Sequence, residues 1–416
     1  MERHSWGFQR FRSVAFCTPF PPDRSGVADY TKPLLETLCE RHPLQVDVVV
    51  NADPDSYVAP DHPAINLISV RLFRWLADHG HYDTIIYSMG NSPAHHYIYD
   101  LLKEQPSIVW LHDVRLTEFY RWYYGQHLGR NLTALPEELL PWAHRYPDYE
   151  NALIERDILT QHEQGIYLAG EVASHARLIV VNSGFSKELV EIESGGRVPV
   201  VALPFAAPAR VRASPLISGP ELASKYGLDE TDTPVVSVGI IGPPKCPDAI
   251  IDGFVAADPA VNHLMLVFVG ECAGGRDSAY QRELQRRISE HGIDDRVRFT
   301  GYVDEVELDS WLVVARCAIQ LRFPTNGESS ASVMRCLAAG VPTIVSDHGP
   351  LRELPDDAVV KMPAPVESAV LADALLRLVM DDPACEGLRH RALRYAQEVS
   401  FDAVADRFWT EVFCAP

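Results

Sequence analysis

The chain contains no Cys-x-x-Cys pair and no run near the roughly 18 consecutive apolar residues of a membrane-crossing helix, and its basic residues are outnumbered by its acidic ones. Each shortage excludes something. The eight cysteines, Cys17, Cys39, Cys246, Cys272, Cys317, Cys336, Cys385 and Cys414, are scattered and mostly sit inside apolar runs. That pattern reads as reduced, buried thiols, not as a disulfide or zinc framework. Lys and Arg total 37 against 57 Asp and Glu, a formal net charge of −20. Such a balance disfavours a nucleic-acid groove or a broad anionic membrane surface, because both need clustered cations. The opening "MERHSWGFQRFRSVAF" holds basic residues but no continuous apolar core, so neither export nor a membrane span is expected, and a cytoplasmic location follows. The sequon Asn131 to Thr133 then reads as accidental. Low-complexity tracts and short-period repeats are also missing.

What is present is ordinary in bulk and regular in arrangement. Of 416 residues, 47% are apolar and 23% charged, which fits a soluble globular chain. At roughly 100–200 residues per domain, that length predicts two domains. Short apolar runs recur through the first half: "SVAFCTPF" (13–20), "VDVVV" (46–50), "TIIYSMG" (84–90), "SIVWLHD" (107–113), "LIVVNS" (178–183) and "VPVVALPF" (198–205). The second half repeats the rhythm with "PVVSVGIIG" (234–242), "LMLVFVGE" (264–271), "RVRFTGYV" (296–303), "CAIQLRF" (317–323), "PTIVSD" (342–347) and "AVVKM" (358–362). Helix-length segments separate most of them. Strands alternating with helices predict two α/β, Rossmann-like doubly wound domains, each a parallel sheet covered on both faces, opposed across a cleft. The expected boundaries are 1–206, with a helical insertion near 117–165, then 207–398, with a Pro- and Ala-rich linker near 206–220. "FDAVADRFWTEVF", within 399–416, is expected to be an amphipathic helix that packs on either half.

Ligands of open parallel sheets bind beyond the carboxyl ends of the strands, so the residues after each run are the candidates. In "VGIIGPPKCPDAIIDGF" a strand leads into Gly239, Gly242, two prolines and Lys245, then a helix-like pattern. A helix N-terminus favours an anion and a lysine adds a full charge, which is a phosphate site in outline. Neither a P-loop nor a dinucleotide fingerprint stands there. "TNGESSASVMRCLAAGVPTIVSD" places Thr325, Glu328, Ser329 and Ser330 at the mouth of a helix whose apolar face is Val333, Cys336, Leu337 and Gly340. The serines serve as helix caps or as phosphate ligands. Arg322 just upstream is suited to clamping a diphosphate, and Glu328, which cannot hold phosphate, is suited to sugar hydroxyls. His112 and Asp113 follow a strand, and His112 is either a structural histidine or a donor to an oxyanion or hydroxyl. "GNSPAHH" supplies Asn91, His95 and His96, without the spacing of a metal site. Gly26 in "RSGVADY" marks a tight turn or a close approach. The aromatics Phe119, Tyr120, Trp122, Tyr123, Tyr124, Trp142, Tyr146 and Tyr149 are either the core of the insertion or stacking surfaces for sugars.

Taken in order, "PPDRSGVADYT", "LIVVNSGFSKELVE", "VGIIGPPKCPDAIIDGF", "LVFVGE", "VRFTGYVDEVELDSWL", "GESSASVMRCLAAGVPTIVSDHGPLREL" and the closing helix resemble the retaining glycosyltransferases of family 4, over nearly the whole chain. The resemblance implies a GT-B fold, a donor nucleotide sugar on the C-terminal domain and an acceptor on the N-terminal domain. By position it implies Lys245 and the Gly242 loop on the donor diphosphate, and Gly26 near the diphosphate and the reacting sugar. It places His112 on the donor sugar and Gly301, Tyr302 and Val303 near the base. The family's usual arginine after "VG" is Ile240 here, and its two glutamates eight apart are Gly327 and Arg335. The chain is instead similar to a branch with "PTxGExS" and "GNSPxH". In that branch Asn91, Thr325, Glu328, Ser329, Ser330 and Val333 line the donor, and Arg322 replaces the missing arginine.

The expected activity is transfer of a sugar from a nucleoside diphosphate donor to an acceptor hydroxyl of a glycan, a lipid-linked glycan or a small molecule, with retention. No cofactor beyond the donor and no metal is expected, and peripheral membrane contact stays open. His112, Lys245 and Glu328 are the expected catalytic residues. Rival readings are a sugar-nucleotide epimerase, a transferase joining sugar-like groups through nitrogen, and a non-catalytic partner of an active transferase.

Overall fold

The computed structural model describes residues 11–23, 25–146, 153, 157–209, 216–229, 231–257 and 263–414. The N-terminal segment, the middle of the expected linker (210–215) and Tyr149 lie outside these described residues. The chain forms two compact units. Unit 1 comprises Met1–Pro204, Asn326–Ser329 and Phe401–Pro416; unit 2 comprises Phe205–Thr325 and Ser330–Ser400.

Unit 1 is built on seven strands: β1 (Arg12–Cys17), β2 (Leu44–Val50), β3 (Ile65–Ser69), β4 (Thr84–Met89), β5 (Ser107–Leu111), β6 (Ala176–Val181) and β7 (Val200–Ala202), in the order β3-β2-β1-β4-β5-β6-β7. All pairings are parallel. The inner strands are buried nearly end to end, as Val14 to Cys17 show, because crossover helices cover both faces of a parallel sheet. The first crossover helix, Gly26–Arg41, starts at Ser25, whose side chain accepts the Val27 N–H at 3.2 Å, an ordinary N-cap. β3 is the strand that the apolar runs did not announce. The described part of the 117–165 region consists of short helical pieces without a strand, and Phe119, Tyr120, Tyr123, Tyr124 and Tyr146 are buried in the unit's core. Those aromatics are core, not stacking surfaces. Helix Phe401–Phe408 also belongs to unit 1: Phe408 packs on Trp110 with ring centroids 5.4 Å apart, and Asp406 pairs with Arg41 at 2.6 Å.

Unit 2 is built on six parallel strands: β8 (Thr233–Val238), β9 (Leu264–Val269), β10 (Val297–Gly301), β11 (Cys317–Gln320), β12 (Thr343–Ser346) and β13 (Val360–Met362), in the order β10-β9-β8-β11-β12-β13. Both sheets step outward from their first strand on one side and then resume on the other. This is the doubly wound order, with the switch point between β1 and β4 in unit 1 and between β8 and β11 in unit 2. Helix Ala331–Ala339 packs over unit 2 through Val333, Cys336 and Leu337, all buried. It is opened by the Ser330 side chain, which accepts the Val333 N–H at 3.3 Å, and closed by Gly340 at φ +71°. The fold class is therefore α/β, two Rossmann-like doubly wound units of the GT-B type.

Candidate functional site

The carboxyl end of β8 carries most of the candidate anion-binding groups of unit 2. After Val238 the chain passes Gly239, the exposed Ile240 and Gly242, then makes a single 3-10 turn, Pro243–Lys245, before helix Pro247–Ala257. Lys245 folds back over this loop. Its Nζ donates to the Val238 carbonyl at 2.7 Å and to Ser332 Oγ at 3.2 Å. Gly239, at φ +100°, makes room for it, since a Cβ there would lie 2.4 Å from that Nζ. Ser332 stands in the first turn of helix Ala331–Ala339, so the ammonium sits beside a helix N-terminus, where the unpaired end of the backbone ladder already favours anions.

The carboxyl end of β11 meets the same loop. Arg322 N–H donates to Ser346 Oγ at 2.9 Å and Phe323 N–H to the Pro244 carbonyl at 2.8 Å, which ties the Arg322 segment to the turn that carries Lys245. Gly242, Lys245, Arg322 and the Ser330–Ser332 helix start thus come together at the switch point of the unit 2 sheet. Thr325 and Val333 are buried beneath it, Thr325 against Gly349 and Val333 in the core. Their side chains shape the site from below. Beyond β10, Tyr302 is 72% exposed and borders a cavity of about 790 Å³ with Gly270, Glu271, Arg276 and Gly301. Val303 packs inward. Ile240, in the position of the family's usual arginine, is 72% exposed. Arg335 turns away from the loop onto helix Glu305–Val314, 2.7 Å from Asp309 and 3.3 Å from Glu305.

The remaining candidates belong to unit 1. His112 follows β5, its N–H bonded to the Met89 carbonyl at 2.8 Å and its ring 4.7 Å from that of Trp110. Burial pushes its pKa down to about 3, so the imidazole is neutral. Next to it, Asn326–Ser329 docks onto the loop after β5. Val114 and Arg115 both donate their N–H to the Asn326 carbonyl, at 2.8 and 2.9 Å, and Ser186 Oγ donates to Gly327 O at 2.5 Å. Ser329 Oγ donates to the Asn182 carbonyl at 3.2 Å. Gly327 has φ +84° and would place a Cβ 2.9 Å from Val114, so only glycine fits. Glu328 accepts the Asn326 N–H at 2.7 Å, and the buried Arg115 guanidinium adds a favourable charge nearby.

"GNSPAHH" is a structural lock. The Asn91 side-chain oxygen accepts the Phe119 N–H at 3.0 Å and its own N–H donates to Asp113 at 2.7 Å. His95, buried and with its pKa pushed down to about 4, bonds the Ser88 carbonyl through Nδ1 at 2.9 Å. Gly90 is hemmed in, since a Cβ there would lie 2.8 Å from His95 and 2.9 Å from Asp113. Asn91 therefore holds the His112–Asp113 loop in place. Gly26 is the reverse case, because a Cβ on it meets open space. Arg115 lies against the Asn326–Ser329 segment and carried no local signal in the sequence, while Asn182 stood among the residues that follow the strand runs, inside "LIVVNSGFSKELVE", without an assigned role. Among the described residues no group of three His, Cys, Asp or Glu side chains is arranged to hold a metal ion, and no helix is long and apolar enough to cross a membrane.

Residues 219–399 match the model of the family described as glycosyl transferases group 1. It is unit 2 that carries this similarity. The chain is 29% identical over 268 residues to a D-inositol 3-phosphate glycosyltransferase of Thermomonospora curvata, covering 59% of each chain. It is also 29% identical over 120 residues to the mannosylfructose-phosphate synthase of Agrobacterium fabrum, covering 28% of this chain and 26% of that one. The chain thus spans less than two thirds of the length of these curated relatives. Among solved structures, a sucrose-phosphate synthase from Thermosynechococcus elongatus superposes with a TM-score of 0.67 at 17% identity, over 97% of this chain and 100% of that one. Anabaena HepE in complex with UDP-glucose gives 0.63 at 15%, with the same coverage. At such identities the structures show the shared fold, and the group 1 likeness rests on the sequence of unit 2.

Proposed function

We propose that the chain is a glycosyltransferase that moves a hexosyl group from a nucleoside diphosphate sugar to an acceptor hydroxyl, with retention and without a metal ion. The observation that carries this reading is the placement of Lys245 over Gly239, bonded to Ser332 at the start of helix Ala331–Ala339, inside the segment that matches group 1 glycosyl transferases. Lys245, Arg322 and the helix N-terminus concentrate positive potential where a diphosphate would leave, and so stabilise the charge that grows on it in the transition state. This is the work a divalent cation does in other transferases. Gly242 lets the backbone approach the diphosphate, and Tyr302 and Val303 mark the base. On unit 1, neutral His112 and the side chain of Glu328 are suited to hydroxyl groups, the first as hydrogen-bond donor, the second as acceptor. No carboxylate is assigned as nucleophile, and front-face attack assisted by the departing phosphate is the preferred course.

HepE binds UDP-glucose, and the named relatives carry phosphorylated cyclitols or sugars in their names. UDP-glucose and GDP-mannose are therefore the first donors to assay, with inositol phosphates and hexose phosphates as first acceptors. The test is product analysis. Free nucleoside diphosphate plus a glycosylated acceptor supports transfer, and an isomerised donor would replace transfer by epimerisation. Full turnover in EDTA is expected, and loss of turnover that manganese restores would overturn the metal-free course.

A further inference from the structure

Two buried polar atoms of unit 1 lack a hydrogen-bond partner at neighbouring strand ends: Nε2 of His112, after β5, and Nδ2 of Asn182, after β6. β5 and β6 run parallel with Trp110 opposite Val180, so two residues further on His112 and Asn182 emerge side by side. Trp110 touches both. Its ring lies 4.7 Å from the imidazole, and its indole N–H donates to Asn182 Oδ1 at 3.2 Å. An indole nitrogen only donates, so the amide oxygen must face Trp110 and the NH₂ must point elsewhere. The Asn182 backbone is held as well, its carbonyl accepting from Ser329 Oγ.

A buried amide donor beside a buried imidazole nitrogen satisfies both groups only if the ring nitrogen accepts. We infer that Asn182 is a positioning residue that fixes His112 as its Nδ1–H tautomer, the Asn182 NH₂ turning to donate directly to Nε2, a bond these rotamers leave unmade. Relays of this kind, in which one ring nitrogen's bond sets the state of the other, are general for histidine. Burial keeps the ring neutral, so the choice lies between two tautomers. The Nδ1–H form turns the ring's other nitrogen into a donor to a substrate oxygen and removes it as a base. That consequence for turnover rests on the proposed contact between His112 and the donor sugar, whereas the tautomer itself does not.

The test is nitrogen NMR of the full chain labelled with ¹⁵N-histidine, with the His112 signals assigned by their loss in His112→Gln. The wild-type chain should show a protonated Nδ1 and an unprotonated Nε2 at pH 7.5. Asn182→Asp presents an acceptor to Nε2 and should move the proton there, or add one to the ring. It should also lower kcat/KM at least ten-fold with an altered pH profile. A wild-type Nε2–H tautomer overturns the inference, and so do unchanged His112 signals in a folded Asn182→Asp. Should that variant fail to fold, the wild-type spectrum alone decides. The expected tautomer in a chain that transfers no sugar upholds this inference and removes the proposed function instead.

Discussion

At the scale of single residues, three glycines separate by what stands where their side chain would be. Gly239 gives its space to Lys245 Nζ, Gly327 gives its space to Val114, and Gly26 faces open space. Lys245→Ala removes a charge-assisted hydrogen bond to the proposed diphosphate, which is about 1.5–3 kcal/mol, or roughly 10- to 150-fold in affinity. Calorimetry with UDP and GDP should show that loss with the melting temperature unchanged, and wild-type affinity would remove the lysine from the site. Gly239→Ala should lose affinity similarly but also cost about 1–2 kcal/mol of stability, because the positive φ disfavours any L side chain. Gly26→Ala should be silent in a thermal melt, since helix position and space both tolerate alanine. A drop in turnover there would have to come from a substrate that approaches the backbone closely.

At the scale of elements, the strands were legible where apolar residues ran together and turn residues bounded them. β3, "INLIS", was not legible. Its exposed Asn66 breaks the run, and Ser69 is at once the last strand residue and the N-cap of helix Val70–Asp78, so no turn separates the two. The polar stretch around Glu328 was legible only in part. Ser330 as a helix cap and Lys245 beside a helix start follow from local patterns, but the docking of Asn326–Ser329 on Val114, Asn182 and Ser186 depends on partners more than 130 positions away. Local spacing carries no trace of them. Arg335 is a similar case: the resemblance marks a departure there, and only its partners give the reason. Burial is the largest influence and works against its charge, but the hydrogen bonds and charges of Asp309 and Glu305 together outweigh it and raise its pKa. Arg335→Glu would restore the family's usual residue while placing three carboxylates together with Glu305 and Asp309. A stability loss of about 1–3 kcal/mol is expected in urea unfolding, below the cost of a fully buried pair because solvent reaches this one. No loss would mean that the clasp contributes nothing.

At the scale of the whole molecule, the two buried histidines whose proton affinity falls far on folding, among the described residues, lie in unit 1. The sign follows from linkage: the unfolded chain binds protons at His95 and His112 near the ordinary value of 6.5, whereas the folded chain binds them only near 4 and 3. Their contribution is therefore complete above pH 6.5 and is lost as pH falls toward those folded values. Each group costs about 1.4 kcal/mol per pH unit inside that window, so acidification from pH 7.5 to 5 should remove on the order of 4 kcal/mol. Glu193 works in the opposite direction. Burial raises its pKa despite the Tyr146 hydroxyl bonded to it, so it regains stability as pH falls, but it is one group against two. Urea titrations across this range should show the transition midpoint falling with acid. His95→Gln, which keeps an N–H donor for the Ser88 carbonyl, should make the pH dependence about half as steep. A midpoint independent of pH down to 5 would mean that His95 and His112 are hydrated in the folded chain, and the neutral imidazole on which the Asn182 relay depends would go with it.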